Sequence, residues 1–377
     1  MLQVCAVDFT ALHLLRPLMI ACREHGWTVE FACADGSGTR ALRAEGFGYH
    51  AFPATRGLNP VRHALSIAKL TSVLRDRRPQ LVHTHTPVGG LIGRTATIIA
   101  PGSRTVHTFH GLPFETVART LRERGFLAVE RRLAARTDLF FSQAAGDADR
   151  AVDLGIARRG DLIVIGNGVD VQIFAPDEEV RSEMRAELGI PSNAVVIVTV
   201  ARLVREKGVL DLAEAAAALK ADDRIYFLIV GDALPSDRTS VAHELKRHRA
   251  TAELGHRWRS LGYRRDITRL LQAADIFVLP TYREGLPRSV IEAMAVGLPA
   301  VATNIPACRE LVEPGRTGLL VPPGDIASLT AALASLADSA ELRAQMGARA
   351  RERALAAHDE RRVVGLQIDA MERLLRR

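Results

Sequence analysis

Lysine is scarce in this chain: Lys69, Lys207, Lys220 and Lys246 are the only four among 50 lysines and arginines in 377 residues. Aromatic residues are also few, at 5%. No basic run is interleaved with stacking rings, so nucleic-acid binding is not expected. No stretch approaches the roughly 18 uninterrupted apolar residues of a membrane span, and no basic–apolar–small leader opens the sequence. A soluble, cytoplasmic protein is expected. The four cysteines, Cys5, Cys22, Cys33 and Cys308, have no C-x-x-C spacing. That argues against a metal cluster or a disulfide scaffold and for reduced core thiols.

What is present is an ordinary enzyme composition, 47% hydrophobic and 25% charged, long enough for two domains. The formal charge of +7 is uneven. Residues 1–170 hold 21 Lys+Arg against 15 Asp+Glu, and the rest hold 29 against 28. Heavy Ala and Arg usage is the plain explanation of the high pI. A basic first half also suits anionic phosphates or an anionic membrane surface.

Short apolar runs alternate with helical periodicity. "LQVCAVD", "TVEFACA", "LVHTH", "RTVHTFH", "DLFFSQ" and "DLIVIGNG" read as strands of a first parallel sheet. The pattern restarts with "NAVVIVTVARL", "RIYFLIVGD", "WRSLGY", "DIFVLPT", "LPAVAT" and "TGLLVPP". From about Ile326 the chain reads as consecutive helices. The fold expected is α/β: two Rossmann-like doubly wound parallel-sheet domains facing across a cleft. Residues 1–167 form the first, 168–355 the second, and 356–377 a last helix crossing back onto the first. Ligands of such sheets bind beyond the carboxyl ends of the strands.

After "DIFVLPT" comes "YREGLPRSVIEAMAVG". Pro287 suits a helix start and Gly297 its end. Gly285, Leu286 and Pro287 lead into a first turn whose N–H groups and dipole favour an anion. Glu284 precedes that turn. Glu292 lies in the second turn, placed to accept hydrogen bonds from a ribose diol. The bland alternative makes both solvated charges at a helix start. In "TVARLVREKG", Arg202 and Lys207 flank a short loop and could clamp a diphosphate, the first as a fork, the second as a point charge. The alternative is two solvated cations.

In the first half, His110 stands at a strand end beside Gly111. His107, three residues earlier, faces the other side of the strand, which disfavours a chelating pair. His83 and His85 share one strand face ahead of a glycine turn at Gly89 and Gly90. Two histidines without a third ligand are weak evidence for metal. Asp147 and Asp149 open a helix, where acidic residues are expected in any case. "VARTLRERGFLAVERRLAAR" (117–136) reads either as a basic amphipathic face for an anionic leaflet or as a surface helix with its stripe in the core.

Together, "HTFHG", "GNGVDVQIFAP", "ARLVREKG", "PTYREGLPRSVIEAMAVGLPAVAT" and "GRTGLLVPPGD" resemble family 4 of the retaining glycosyltransferases, over nearly the whole chain. Glu284 and Glu292 match that family's E-x7-E signature. The runs "YREGLPRSVIEAMA" and "VHTHTPVGG" further resemble a branch that builds polyprenyl-diphosphate-linked surface glycans. The resemblance implies the GT-B fold, a nucleotide-sugar donor (a UDP-sugar favoured), no metal or other cofactor, and retention of anomeric configuration by front-face attack. It implies that Glu292 binds the ribose and Glu284 the donor sugar. Arg202 and Lys207 would bind the diphosphate, helped by N–H groups near Leu286 and Pro287. Tyr263 and Arg264 would lie near the base, and His110 beside the anomeric carbon. His83, His85, Gly89 and Gly90 fall on the acceptor side. Two departures stand out: Thr10 and Ala11 occupy the place of a Gly-Gly turn, and "ALPSDRTSVAHELKRHR" replaces a shorter segment after "VGD". Rival readings are a sugar-nucleotide epimerase of related fold and a retaining glycoside hydrolase using Glu284 and Glu292. The hydrolase needs carboxylates about 5 Å apart and leaves the two cations unexplained.

Overall fold

The structure is a computed structural model describing residues 1–54, 59–112, 120–233, 237 and 239–377. It divides into two compact units, Met1–Gly166 with Arg361–Arg377, and Asn167–Glu360. Each is built on an all-parallel sheet.

In the first unit the strands are β1 (Leu2–Val4), β2 (Glu30–Cys33), β3 (Gly48–Ala51), β4 (Leu81–His85), β5 (Arg104–Phe109), β6 (Leu139–Ser142) and β7 (Leu162–Val164). Their order is β3-β2-β1-β4-β5-β6-β7, so the direction of winding reverses between β1 and β4. Parallel neighbours need crossover helices, and these cover both faces. Alternate residues feed two cores. Leu2, Val4 and Val82 pack with Leu70, Leu74 and Ile92 on one side. Phe31, Cys33, Leu81 and Val106 pack with Leu18 and Met19 on the other. The final helix, Glu360–Leu375, lays Val363, Val364, Ile368, Met371 and Leu374 into that second core.

Strand β3 has no counterpart in the sequence reading. Its residues, Gly-Tyr-His-Ala, carry no β-branched run, and as an edge strand it is only half buried. Its register is set by β2, with Phe31 opposite Tyr49.

One charged pair lies inside the first unit. Arg94 Nη2 donates to Glu130 Oε2 at 2.5 Å, joining helices Pro87–Ile99 and Leu121–Ala134. Both side chains are almost fully buried. Removing either partner alone would strand a buried charge, a loss of about 3–5 kcal/mol in comparable pairs. Helix Leu121–Ala134 begins with a capping box: Thr120 Oγ1 accepts from Glu123 N, and Glu123 Oε2 accepts from Thr120 N.

The second unit has β8 (Val195–Val200), β9 (Ile225–Val230), β10 (Trp258–Gly262), β11 (Ile276–Leu279), β12 (Ala300–Thr303) and β13 (Gly318–Val321), ordered β10-β9-β8-β11-β12-β13. The central strands β8, β9, β11 and β12 are near-continuous buried runs, as a sheet covered on both faces requires, whereas the edge strand β10 carries Arg259 and Ser260 and is only partly buried. The reversal falls between β8 and β11. Three helices close the chain: Ile326–Asp338, Ala340–Ala357 and the Glu360–Leu375 helix already placed.

The four cysteines are free and buried. Among the described residues no helix is long and apolar enough to cross a membrane.

Candidate active site

The loops after β8 and β11 are neighbours at the point of strand reversal, where sheets of this kind bind ligands. They are joined by short backbone links. Tyr282 N donates to Glu206 O at 2.8 Å, and Thr281 Oγ1 donates to the same carbonyl at 2.9 Å. Gly208 has φ +65°, and a Cβ there would fall 1.8 Å from Pro280 O. Only glycine fits both the left-handed backbone and that approach. The result is a direct ion pair: Lys207 Nζ donates to Glu284 Oε1 at 2.5 Å, with both side chains mostly buried. Below them, burial first and the Glu284 charge second push the Cys308 thiol up to about 12, so it stays an inert core thiol.

Pro287 is the N-cap of helix Arg288–Val296, and Gly297 closes it at φ +89°. The first-turn N–H groups of such a helix have no intrahelical acceptor. Asn167 Nδ2 donates to Leu286 O at 3.3 Å, fixing the turn that also carries Gly285. Glu292 Oε1 accepts from Arg288 Nε at 2.9 Å. Burial raises the Glu292 carboxyl above its ordinary range, and the Arg288 charge offsets this only in part.

Arg202 does not join the Lys207 pair. Its Nη1 donates to Asp237 Oδ1 at 2.5 Å, and the side chain is about half exposed. Tyr263 and Arg264 follow β10, two strands from β8. Tyr263 is exposed, whereas Arg264 is held in a two-point pair with Asp266. Of the longer segment after "VGD", Leu234, Pro235, Ser236 and Arg238 lie outside the described residues.

In the first unit, four histidines gather at the ends of β4 and β5. His85 Nδ1 lies 3.1 Å from His110 Nε2. The His83 and His85 rings are 4.0 Å apart, centre to centre. His83 Nε2 meets Thr108 Oγ1 at 2.7 Å, and His107 Nδ1 meets Thr84 Oγ1 at 2.9 Å. His83 and His85 are fully buried, so they act on a ligand only through His110 or the backbone. Gly89 and Gly90 form no turn. Pro87 starts helix Pro87–Ile99 early, and both glycines sit in its first turn. A Cβ would come 2.9 Å from Cys5 Cα at Gly89 and 2.5 Å from His107 Cε1 at Gly90, so these are close-packing positions. Between His85 and the helix, Thr86 holds φ 62° and ψ 162°, a region that costs non-glycine residues about 1–3 kcal/mol. His110 lines a small, mostly apolar recess with Thr86, Phe109, Leu112, Phe126 and Glu130.

Thr10 and Ala11, at the place of the glycine turn, are buried in helix, and both amides are directed at Val7 O. Those amides are not free for a phosphate. Asp147 takes a hydrogen bond from Leu112 N at 3.1 Å, a structural role. Of the stretch 117–136, residues 117–119 lie outside the described set, Leu127 and Leu133 are in the core, and Leu121 and Val129 are exposed. Among the described residues no group of three His, Cys, Asp or Glu side chains is arranged so that it could hold a metal ion.

Glycosyltransferase family 4 matches residues 15–173, and the glycosyl transferases group 1 family matches residues 180–353. A UDP-Gal:alpha-D-GlcNAc-diphosphoundecaprenol alpha-1,3-galactosyltransferase of Escherichia coli is 31% identical over 287 residues, 75% of this chain and 73% of its own. The putative glycosyltransferase EpsD of Bacillus subtilis is 30% identical over 94% of this chain and 91% of its own. This chain is a family 4 glycosyltransferase. The crystal structure of Anabaena HepE in complex with UDP and glucose superposes with a TM-score of 0.83 at 23% identity, covering 98% of both chains. That likeness establishes the two-domain Rossmann-like fold.

Within the glycosyltransferase, sequence reasoning missed Asn167, Asp237 and Arg288. Arg288 was legible, since a cation four residues before Glu292 lies on the same helix face. Asp237 was not, because only the fold brings it to Arg202.

Two outcomes follow from this geometry. Lys207→Ala should lower kcat/KM for transfer about a hundredfold, about 2.7 kcal/mol of transition-state stabilisation; unchanged kinetics would remove Lys207 from the mechanism. The second concerns acid. Burial drives His83 down to about 3 and His110 to about 4, and His85 and His107 well below their ordinary value. Unfolded histidines titrate near 6.5. Between those values the unfolded state binds more protons, so stability is full above about pH 6.5 and is lost as pH falls, by roughly 1.4 kcal/mol per pH unit per histidine. The urea midpoint should drop between pH 7 and 5, and His83→Gln should flatten that slope. Identical slopes would mean that His83 is not a buried neutral group.

Proposed function

We propose that this glycosyltransferase moves a hexose or N-acetylhexosamine from a UDP-sugar to a glycan or polyprenyl-linked acceptor in surface-glycan assembly, retaining anomeric configuration and using no metal. The observation that carries the reading is the Lys207–Glu284 pair at the strand reversal, next to the helix start that leads to Glu292. The names of the relatives support it: the Escherichia coli enzyme is named for UDP-Gal and a diphosphoundecaprenol acceptor, and the Anabaena structure holds UDP and glucose.

In this reading Glu292 accepts hydrogen bonds from the ribose hydroxyls and Glu284 from the donor sugar. The diphosphate lies on the N–H groups after Gly285 and Leu286, faced by Lys207 and by Arg202 once it leaves Asp237. As the glycosidic bond breaks, an oxocarbenium-like sugar forms and negative charge grows on the leaving diphosphate. Each charge-assisted hydrogen bond to it is worth about 1.5–3 kcal/mol, and the helix end about 0.3–2. These are useful parts of the ~8–23 kcal/mol that enzymes supply, and holding the acceptor in place contributes much of the remainder. Tyr263 and Arg264 border the base, and His110 stands beside the anomeric carbon.

Calorimetric titration with UDP, GDP, ADP and dTDP tests the donor. UDP should bind in the micromolar range and Glu292→Ala should lose it; no binding by any nucleotide would overturn the reading. The acceptor side adds a cytoplasmic membrane surface as a partner, touched by the exposed apolar and basic residues of helix Leu121–Ala134. Co-sedimentation with vesicles should rise with their anionic lipid content, and indifference to lipid charge would remove the membrane from the scheme.

A further inference from the structure

Arg202 and Asp237 meet where this chain departs from the family pattern, in the segment after β9. That segment is fastened to the loop after β8 through the backbone. Val204 and Ser240 form an antiparallel bridge, Arg205 N donates to Thr239 O at 2.9 Å, and Val241 N donates to Leu203 O at 2.9 Å. Side chains add to the seam. Thr239 Oγ1 donates to Glu206 Oε2 at 2.8 Å, and Arg205 Nη2 donates to Glu244 Oε2 at 3.1 Å. The loop that carries Arg202 and Lys207 is thus held on two sides, by residues 239–241 and by Thr281 and Tyr282. None of these bonds uses the Arg202 side chain, so its pairing with Asp237 can break while both segments stay fastened.

The pair itself is uneven. The Asp237 side chain is 10% exposed and that of Arg202 is 44% exposed. A guanidinium has five N–H groups. Among the described residues only Nη1 of Arg202 donates from the side chain, to Asp237 Oδ1 at 2.5 Å. Other arginines of the second unit are held more firmly. Arg264 meets Asp266 at two points, and Arg185 engages Ala273 O, Ser192 O, Ala194 O and Asp275 Oδ2. The other carboxylate close to Arg202, that of Glu206, accepts from Thr239 instead. Arg202 is therefore a cation seated at one point, and an anion offering two oxygens can pair with it as a fork.

We infer that Asp237 is an internal competitor for the diphosphate: it occupies Arg202 in the free protein and yields it when a diphosphate binds. This rests on the reading above that Arg202 faces the donor diphosphate. One carboxylate is exchanged for phosphate oxygens on the same cation, and a single-point pair on a half-exposed guanidinium gives way at small cost. The effect falls on substrate and product alike. Any ligand that engages Arg202 binds more weakly by the fraction of protein in which the cation is already taken, about three- to sixfold for a pair of this exposure. The nucleoside diphosphate left after transfer meets the same competitor, so Asp237 hastens product release at the expense of donor affinity.

Calorimetric titration of the full chain with UDP tests this in wild type, Asp237→Asn, Arg202→Gln and the double variant. Asp237→Asn should bind UDP about three- to sixfold more tightly than wild type. Asp237→Ser, smaller and also neutral, carries the same expectation should the asparagine variant not fold. In the Arg202→Gln background, Asp237→Asn should leave UDP affinity unchanged. That comparison separates exchange on Arg202 from the general effect of removing a negative charge, which would tighten UDP in both backgrounds. UDP affinity equal to or weaker than wild type in a folded neutral variant overturns the competition, and so does a tightening that persists without Arg202. If UDP binds none of the proteins, the nucleotide-sugar reading fails by itself. The competition is then decided by inorganic pyrophosphate in the same set: tighter binding by Asp237→Asn upholds it, and equal binding or none overturns it.

Discussion

The close approach of Gly208 to the Pro280 carbonyl is the constraint on which the candidate site of the second unit depends. It allows the loop after β8 to lie directly against the end of β11, and the two hydrogen bonds to Glu206 O hold it there. Lys207 and Glu284 are 77 residues apart in sequence and meet only because the two loops are joined at the backbone. A pair this buried is not a surface ion pair of negligible worth. Each charge has lost most of its water and keeps its position for want of an alternative. The position of the pair is therefore fixed by the fold of the two loops.

The first unit uses a different means to the same end. Its candidate residues are imidazoles whose orientation is decided by neighbours on adjacent strands. Where the second unit balances charge with charge, as at Lys207 with Glu284 and Arg202 with Asp237, burial favours the neutral form of His83, His85, His107 and His110. A buried ion pair, Arg94 with Glu130, ties two helices beside the recess that His110 lines.

Much of this was legible in the sequence, and the reasons it was or was not are physical. Twelve strands could be read, the central ones because burial on both faces leaves apolar runs; β3, short and half exposed at an edge, left none. The helix Arg288–Val296 announced itself through Pro287 and Gly297, whose backbone preferences are local. The partners of the functional side chains were harder. That Lys207 meets Glu284 rather than standing beside Arg202, and that Asp237 takes Arg202, are facts of tertiary contact. Gly89 and Gly90 were misread as a turn because glycine serves both turns and close packing, and only the proximity of Cys5 and His107 distinguishes the two uses. The family resemblance covered what spacing alone could not, and it too had a limit at Thr10 and Ala11.

The first unit is discontinuous in sequence, and that has a consequence for synthesis. Its second core is completed by Val363, Val364, Ile368, Met371 and Leu374 from the end of the chain. While the ribosome is still making the second unit, the first can form its sheet and most of its crossovers but keeps an apolar groove open to water. The second unit, contiguous from Asn167 to Glu360, needs nothing further to close. The unit that emerges first is thus completed after the second, and until the Glu360–Leu375 helix has been made the nascent protein carries an apolar surface of the kind a chaperone recognises.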